Sequence, residues 1–167
     1  MTGDRLKEIQ RPLKDRYGED ADSAQITLEA KGALDEDISC SVETGRALVK
    51  AGLHPGTGGD GTLACSGDML LQALVACAGV TMRSVATSMG LEVTGSIHAE
   101  GDLDWRGTLA VDKGAPVGFK DIRLRFELES EASDEELETL ERLTERYCVV
   151  FQTLASSPSL SVSFGRS

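Results

Sequence analysis

The sequence has 167 residues, 40% of them hydrophobic, and carries 28 acidic side chains against 17 basic ones, for a formal net charge of -11. This length fits one domain that can bury a core without disulfide or metal support. The negative charge argues against nucleic acid or an anionic membrane as a partner, because both bind clustered positive charge.

No targeting segment or membrane span is expected. Residues 1–8 contain no apolar run of the signal-peptide kind, and Gln72 and Arg83 interrupt the most apolar segment. We therefore expect a soluble, cytoplasmic protein, in which the four cysteines are free thiols, ligands or catalysts. Because no Cys-x-x-Cys occurs and His54 and His98 stand alone, neither a metal nor a cofactor is expected.

The N-terminal residues predict a helical arm. Over residues 4–18 the apolar side chains recur at helical spacing, and Pro12 limits or kinks the helix. The stripe consists of Leu6, Ile9, Leu13 and Tyr17. A polar break follows at 18–23, so we assign residues 1–24 to an N-terminal arm and residues 25–167 to a single domain.

Three strands are predicted next, at 25–31, 38–43 and 45–50, because apolar and polar residues alternate there. Glycines near the turns between them favour an antiparallel meander. The Gly-rich and Pro-rich residues 54–61 predict a loop.

A long, nearly all-apolar helix is then predicted from about 69 to 89 and is expected to be enclosed by protein. Ser66 is its predicted N-cap, Asp68 lies in the first turn, and Gly90 provides the stop.

The remaining chain alternates strands and helices. Residues 91–100 and 119–129 predict strands joined by a Gly-rich connection, and Ser133 with Glu136 forms a capping box that opens a second long helix. A short helix through Leu154 and a final strand at 160–164 complete the order.

Two distant cysteines are the most informative residues for function. Cys77 lies inside the apolar helix, and Cys148 lies at the end of the second long helix. A thiol becomes reactive when its surroundings favour the thiolate, and a second thiol within bonding reach turns a one-way oxidation into a cycle. The two cysteines are therefore candidates for one redox site.

Several motifs occur in a set order from about Gly45 onward: a Gly-rich loop at 58–61, the helix start at 66–71, the segment 73–77 that ends in Cys77, and residues 147–154 around Cys148. In this order they resemble the OsmC family, the osmotically inducible and organic hydroperoxide resistance proteins. The resemblance covers about three quarters of the chain. It implies an α+β fold in which antiparallel sheets wrap around two central helices of an intertwined homodimer.

The resemblance also implies an activity, the thiol-dependent reduction of organic hydroperoxides. Cys77 would be the attacking thiol and Cys148 the resolving one, with a dithiol partner reducing the disulfide between them. In the family an arginine held by an acidic residue favours the thiolate. The corresponding candidates here are Arg46, on the strand before the loop, and Asp68, nine residues before Cys77.

Each of these residues also has a structural interpretation. Cys77 can be a small buried hydrophobic residue and Cys148 a buried residue at a helix junction. Asp68 can serve the helix dipole, and Arg46 can be a solvated strand residue. The alternative function is therefore a non-catalytic module that binds a small apolar or electrophilic ligand, or senses redox state, in the dimer cleft.

Overall fold

A computed structural model of the chain describes residues 2–20, 31–34, 39–44 and 47–165. Its helices and strands form an α+β arrangement. The helices are α1 (Gly3–Glu19), α2 (Ser66–Met89), α3 (Trp105–Thr108), α4 (Asp134–Tyr147) and α5 (Val149–Ala155). The strands are β1 (Lys31–Leu34), β2 (Ser39–Thr44), β3 (Ala47–Gly52), β4 (Ala64–Cys65), β5 (Thr94–Asp102) and β6 (Asp121–Glu129).

The first sheet contains β1 to β4 in chain order. β1, β2 and β3 pair antiparallel, which confirms the predicted meander, and β4 adds two residues parallel to β3. Of the first predicted strand, residues 25–30 lie outside the described residues.

The second sheet is the antiparallel pair β5 and β6, with Ile97 opposite Phe126. On β6 the apolar side chains are less exposed than the charged ones between them, as the alternating sequence predicts. β5 begins at Thr94, three residues later than predicted, and the preceding Val93 is buried.

The long helix α2 is the element that contacts most of the other helices. It contacts α1, α4, α5 and β5. Its buried residues recur every fourth position and form one stripe: Leu74, Ala78, Met82 and Ala86. Met82 and Ala86 join Val93 and Leu140 in the core cluster. The helix ends at Gly90, which has the predicted left-handed conformation with φ of 76°.

The predicted N-cap of α2 was wrong by one residue. Cys65 has the extended backbone of a cap, with φ of -80° and ψ of 131°, and Ser66 is the first helical residue. The backbone conformation at the end of β4 therefore decides where the helix begins, and no side chain caps it.

The apolar stretch of α2 is also longer than expected. On length and composition alone α2 could span a membrane, since an 18-residue window within it has a mean hydropathy of 1.5. Gln72 and Arg83 do not interrupt it enough to exclude a span. The core helix of a soluble protein has the same composition, and α2 packs against a sheet and three helices of its own chain.

The arm and the connection between β5 and β6 both lie against other elements. α1 packs on α2 and continues through Pro12, so this residue does not end the helix. In the connection, Trp105 stacks on His54 with ring centroids 5.0 Å apart. Gly56 lies against this pair, where a Cβ atom would come within 2.6 Å of the indole nitrogen.

The predicted final strand at 160–164 was wrong for the single chain. These residues form no regular structure, and the side chains of Leu160, Val162 and Phe164 are 88%, 80% and 98% exposed. A strand requires a neighbour for its backbone hydrogen bonds, and no described strand lies beside this segment.

The capping box of α4 is present as predicted. The Ser133 hydroxyl accepts from the backbone N–H of Glu136, and the Glu136 carboxylate accepts from the backbone N–H of Ser133. The backbone N–H and the hydroxyl of Ser133 both donate to the Glu136 carboxylate, and these bonds hold its pKa below the ordinary value.

We expect Ser133→Ala to lower the free energy of unfolding by about 1 kcal/mol, because the cap bond is lost. Ser66→Ala is the matched control and should have almost no effect, because Ser66 is not a cap. Chemical denaturation of both variants provides the measurement. The contribution of the Glu136 carboxylate to the free energy of unfolding should vanish as the pH falls through its lowered pKa, because the protonated carboxyl is a weaker acceptor. Equal losses in the two variants would contradict the assignment of the caps.

Candidate functional site

Cys77 lies in the middle of α2, beside the buried stripe. It follows Ala76 and precedes the fully buried Ala78. The thiol itself is half-buried and free. The site is therefore built on a rigid helix whose position is set by core packing.

Cys148 lies at the junction of α4 and α5 and is buried, with 1% of its surface exposed. It is the C-cap of α4 and the N-cap of α5, with φ of -75° and ψ of 107°. Its N–H donates to the Thr144 carbonyl at 3.0 Å, and its carbonyl accepts from Gln152 at 2.9 Å. The side-chain amide of Gln152 donates to the backbone carbonyl of Glu145 at 2.8 Å. These bonds hold the thiol in one place.

The packing of α5 against α2 brings the two cysteines together. The Cys148 thiol lies within hydrogen-bonding reach of the Cys77 sulfur, although the residues are 71 positions apart along the chain. Both thiols are free.

The surroundings of Cys77 favour its thiolate. Burial alone would raise its pKa, but four hydrogen bonds outweigh burial and lower the pKa below the ordinary value. The donors are the backbone N–H of Val150, the Cys148 thiol, the backbone N–H of Val149 and the Thr81 hydroxyl. The first N–H groups of a helix have no partner within that helix, so those of α5 are available to the sulfur.

The surroundings of Cys148 have the opposite effect. Burial raises its pKa most, and the backbone N–H of Phe151 opposes this effect. The hydrogen bond and the negative charge of Cys77 raise the pKa further, and the backbone of Val150 lowers it least. The pair therefore contains one thiol with a lowered pKa and one with a raised pKa.

Of the two charged residues expected at the site, the structure describes only Asp68, which does not lie beside Cys77. Asp68 is exposed in the first turn of α2, about 13 Å along the helix axis from Cys77. No ion pair joins it to a described residue. Arg46 lies outside the described residues. Arg83 donates to the Val93 carbonyl at 2.6 Å.

Sequence reasoning missed the uncharged donors. Thr81 lies four residues after Cys77, one helical turn away on the same face, which is a signal readable from the sequence. The N–H groups of Val149 and Val150 carry no such signal, because every residue except proline has one.

A depression of about 490 Å³ lies beside Cys148 and gives the junction an opening to the surface. Arg146, Gln152 and Pro158 are among its lining residues.

Cys65 lies 12 residues before Cys77, about 18 Å away along the axis of α2, and is not part of the pair. Within the described ranges, no cluster of three or more His, Cys, Asp or Glu side chains could hold a metal ion.

Solved structures with the same fold include three bacterial proteins. An OsmC-like protein from Mycoplasma pneumoniae has a TM-score of 0.67 and 19% identity, over 80% of this chain and 90% of that one. An OsmC-like protein of unknown function from Vibrio cholerae has a TM-score of 0.62 and 13% identity, over 77% and 94%. An organic hydroperoxide resistance protein OsmC from Legionella pneumophila has a TM-score of 0.57 and 19% identity, over 80% and 92%.

At these identities the structural similarity shows a shared fold. No curated protein sequence matches the chain. The family model described as OsmC-like protein matches residues 59–163, a span that includes both Cys77 and Cys148. Because this match covers more than half of the 167 residues and the solved structures share the fold, the chain belongs to the OsmC-like protein family.

Proposed function

We propose that this protein is a thiol-dependent peroxidase that reduces organic hydroperoxides through a two-cysteine cycle. The observation that carries the proposal is the contact between the Cys77 and Cys148 thiols, with a lowered pKa for the first and a raised pKa for the second. An attacking thiol must ionise, whereas a resolving thiol can wait in the protonated state.

In the first step the Cys77 thiolate attacks one oxygen of the hydroperoxide and the O–O bond breaks. Cys77 becomes a sulfenic acid, and the other oxygen leaves with a proton as an alcohol. The donors around the sulfur, Thr81 and the N–H groups of Val149 and Val150, hold the thiolate at the place of attack.

In the second step the Cys148 thiol condenses with the sulfenic acid. A disulfide forms between Cys77 and Cys148, and one water molecule leaves. A dithiol partner then reduces the disulfide to two thiols and is itself oxidised to a disulfide. The depression lined by Cys148 offers this partner a route to the buried sulfur.

The expected cation at the site stays a prediction. Arg46 is the candidate, with Asp68 as the acidic residue that orients it. Uncharged donors already surround Cys77, so a guanidinium would add to their effect rather than provide all of it.

We further propose that the protein is an intertwined homodimer, as the family resemblance implies. Only 22% of the most apolar window of α2 is buried by its own chain. Val80, three residues after Cys77, is 72% exposed, and Tyr147 and Val149 on either side of Cys148 are exposed as well. A second copy that covered these side chains would remove apolar surface from water and enclose the cysteine pair.

The first prediction of the proposed function concerns the roles of the two cysteines. Purified protein should consume an organic hydroperoxide, such as cumene hydroperoxide, over many turnovers only when a dithiol is present. Cys77→Ser should abolish consumption. Without a dithiol, Cys148→Ser should stop after one turnover at the sulfenic acid, whereas the unaltered protein should stop at the disulfide, and mass spectrometry distinguishes the two products.

Cys65→Ser is the matched control, since it removes a thiol outside the pair, and it should keep full activity. Multiple turnovers by Cys77→Ser would contradict the proposed mechanism. If the unaltered protein consumed no hydroperoxide, the non-catalytic ligand-binding or redox-sensing function would replace it.

The second prediction concerns the Cys77 thiolate. Thr81→Val removes one donor and should raise the pKa of Cys77, so alkylation by iodoacetamide should slow near neutral pH and its pH profile should move upward. Arg46→Ala should act in the same direction, and Asp68→Asn more weakly. Mass spectrometry assigns the alkylated cysteine.

Thr87→Val serves as the control for these measurements. Its hydroxyl donates to the Arg83 carbonyl at 2.7 Å and is not among the donors to Cys77. A profile that moved as far in Thr87→Val as in Thr81→Val would contradict the assigned donor. An unchanged profile in Arg46→Ala would remove Arg46 from the site.

The third prediction concerns assembly. Light scattering at micromolar concentration should give twice the mass of one chain, and Val80→Asp should weaken the dimer because it puts a charge on the covered surface. Glu141→Asp is a conservative surface control that should leave the mass unchanged. A folded monomer in the unaltered protein would refute the proposed dimer.

A further inference from the structure

The junction of α4 and α5 turns the chain at a single residue. Cys148 ends the first helix and begins the second, and its backbone is extended, with φ of -75° and ψ of 107°. The Cys148 side chain is buried, but Tyr147 and Val149 on either side of it are 61% and 69% exposed. Core packing within the described chain therefore holds the junction from the inner side only.

One side chain bridges this junction. Gln152 lies in α5, and its side-chain amide donates to the backbone carbonyl of Glu145, in the last turn of α4, at 2.8 Å. The last four carbonyls of a helix have no partner within that helix, and this bond satisfies one of them. The next residue, Thr153, donates to the Val149 carbonyl within its own helix. Among the residues that the structure describes, only the Gln152 side chain bonds α5 to α4.

The position of the junction determines how readily the two cysteines can form a disulfide. Two thiols react in proportion to their effective concentration, which is high when both are held in place before the reaction. Cys77 is held by a long helix with a buried stripe, whereas the place of Cys148 depends on the turn between α4 and α5. A bond that restricts this turn therefore raises the effective concentration of the two thiols.

We propose that Gln152 is a positioning residue, which holds Cys148 within reach of Cys77 and so favours resolution over further oxidation. It acts through the backbone of the junction rather than on the sulfur atoms. The consequence for oxidation rests on the proposed function: a Cys77 sulfenic acid that Cys148 does not resolve can react with a second hydroperoxide. The sulfur is then oxidised to the sulfinic acid, and the hydroperoxide is reduced to the alcohol.

A redox titration tests the positioning role without any hydroperoxide. In buffers of reduced and oxidised dithiothreitol, the protein gains the disulfide between Cys77 and Cys148 as the reagent gains two thiols. Gln152→Met keeps the length of the side chain and loses the donor. At a fixed buffer composition it should lower the ratio of disulfide to dithiol protein about threefold, the effect of one partly exposed hydrogen bond. Alkylation followed by mass spectrometry measures the ratio.

Gln152→Ala is a second variant that should lower the ratio by a similar factor, and alanine is the best helix former, so it provides the test if Gln152→Met does not fold. Two controls should leave the ratio unchanged. Gln72→Met makes the same chemical change on the exposed surface of α2, and Thr153→Val removes a bond within α5. With cumene hydroperoxide, both Gln152 variants should convert about threefold more Cys77 to sulfinic acid per turnover than the unaltered protein.

An unchanged ratio in both Gln152 variants would overturn the positioning role. An equal fall in Gln72→Met or Thr153→Val would also overturn it, because the bond across the junction would then have no special effect. If the unaltered protein consumed no hydroperoxide while the ratio still fell only in the Gln152 variants, the peroxidase proposal would fail and the positioning role would stand.

Discussion

The close packing of α2 against α4 and α5 is the constraint on which the rest of this structure depends. The buried stripe of α2 contains Ala78 and Ala86, whose small side chains let neighbouring elements approach the helix axis. On α4 the matching residue is Leu140, which is fully buried in the same core cluster as Met82. Only this approach brings the α4–α5 junction, with its thiol, to the half-buried sulfur on α2.

The contrast between the two thiols follows from how each one is buried. Removal from water raises the pKa of both thiols, and this burial is the largest single influence on each pKa. Cys77 lies where hydrogen-bond donors converge, so its thiolate is favoured, while Cys148 is disfavoured from ionising by the charge that Cys77 would carry. The difference in pKa between the two thiols thus arises from burial, hydrogen bonds and the mutual repulsion of their charges. A charged activator would be an addition to that arrangement.

The described chain leaves apolar surface uncovered at several places, of which two concern the proposed dimer. One lies around the cysteine pair, at Val80 and Val149, and the other along residues 160–164. Exposed apolar patches of this kind are typical of surfaces that meet another molecule. The alternating pattern at 160–164 has the period of a strand, yet a strand exists only when its backbone groups are paired. The pattern therefore describes what the segment can form with a partner rather than what it forms alone.

Local chemistry in the sequence determined most of the elements and the identity of the two thiols. The capping box at Ser133, the stop at Gly90 and the period of β6 each depend on residues close together in the chain, so the sequence predicted them correctly. Tertiary structure decided what depends on distant residues. The contact between Cys77 and Cys148 arises only when separate helices pack, and so does the approach of the Val149 and Val150 N–H groups to the sulfur. Backbone donors have no sequence signature, and burial is a property of the assembled core.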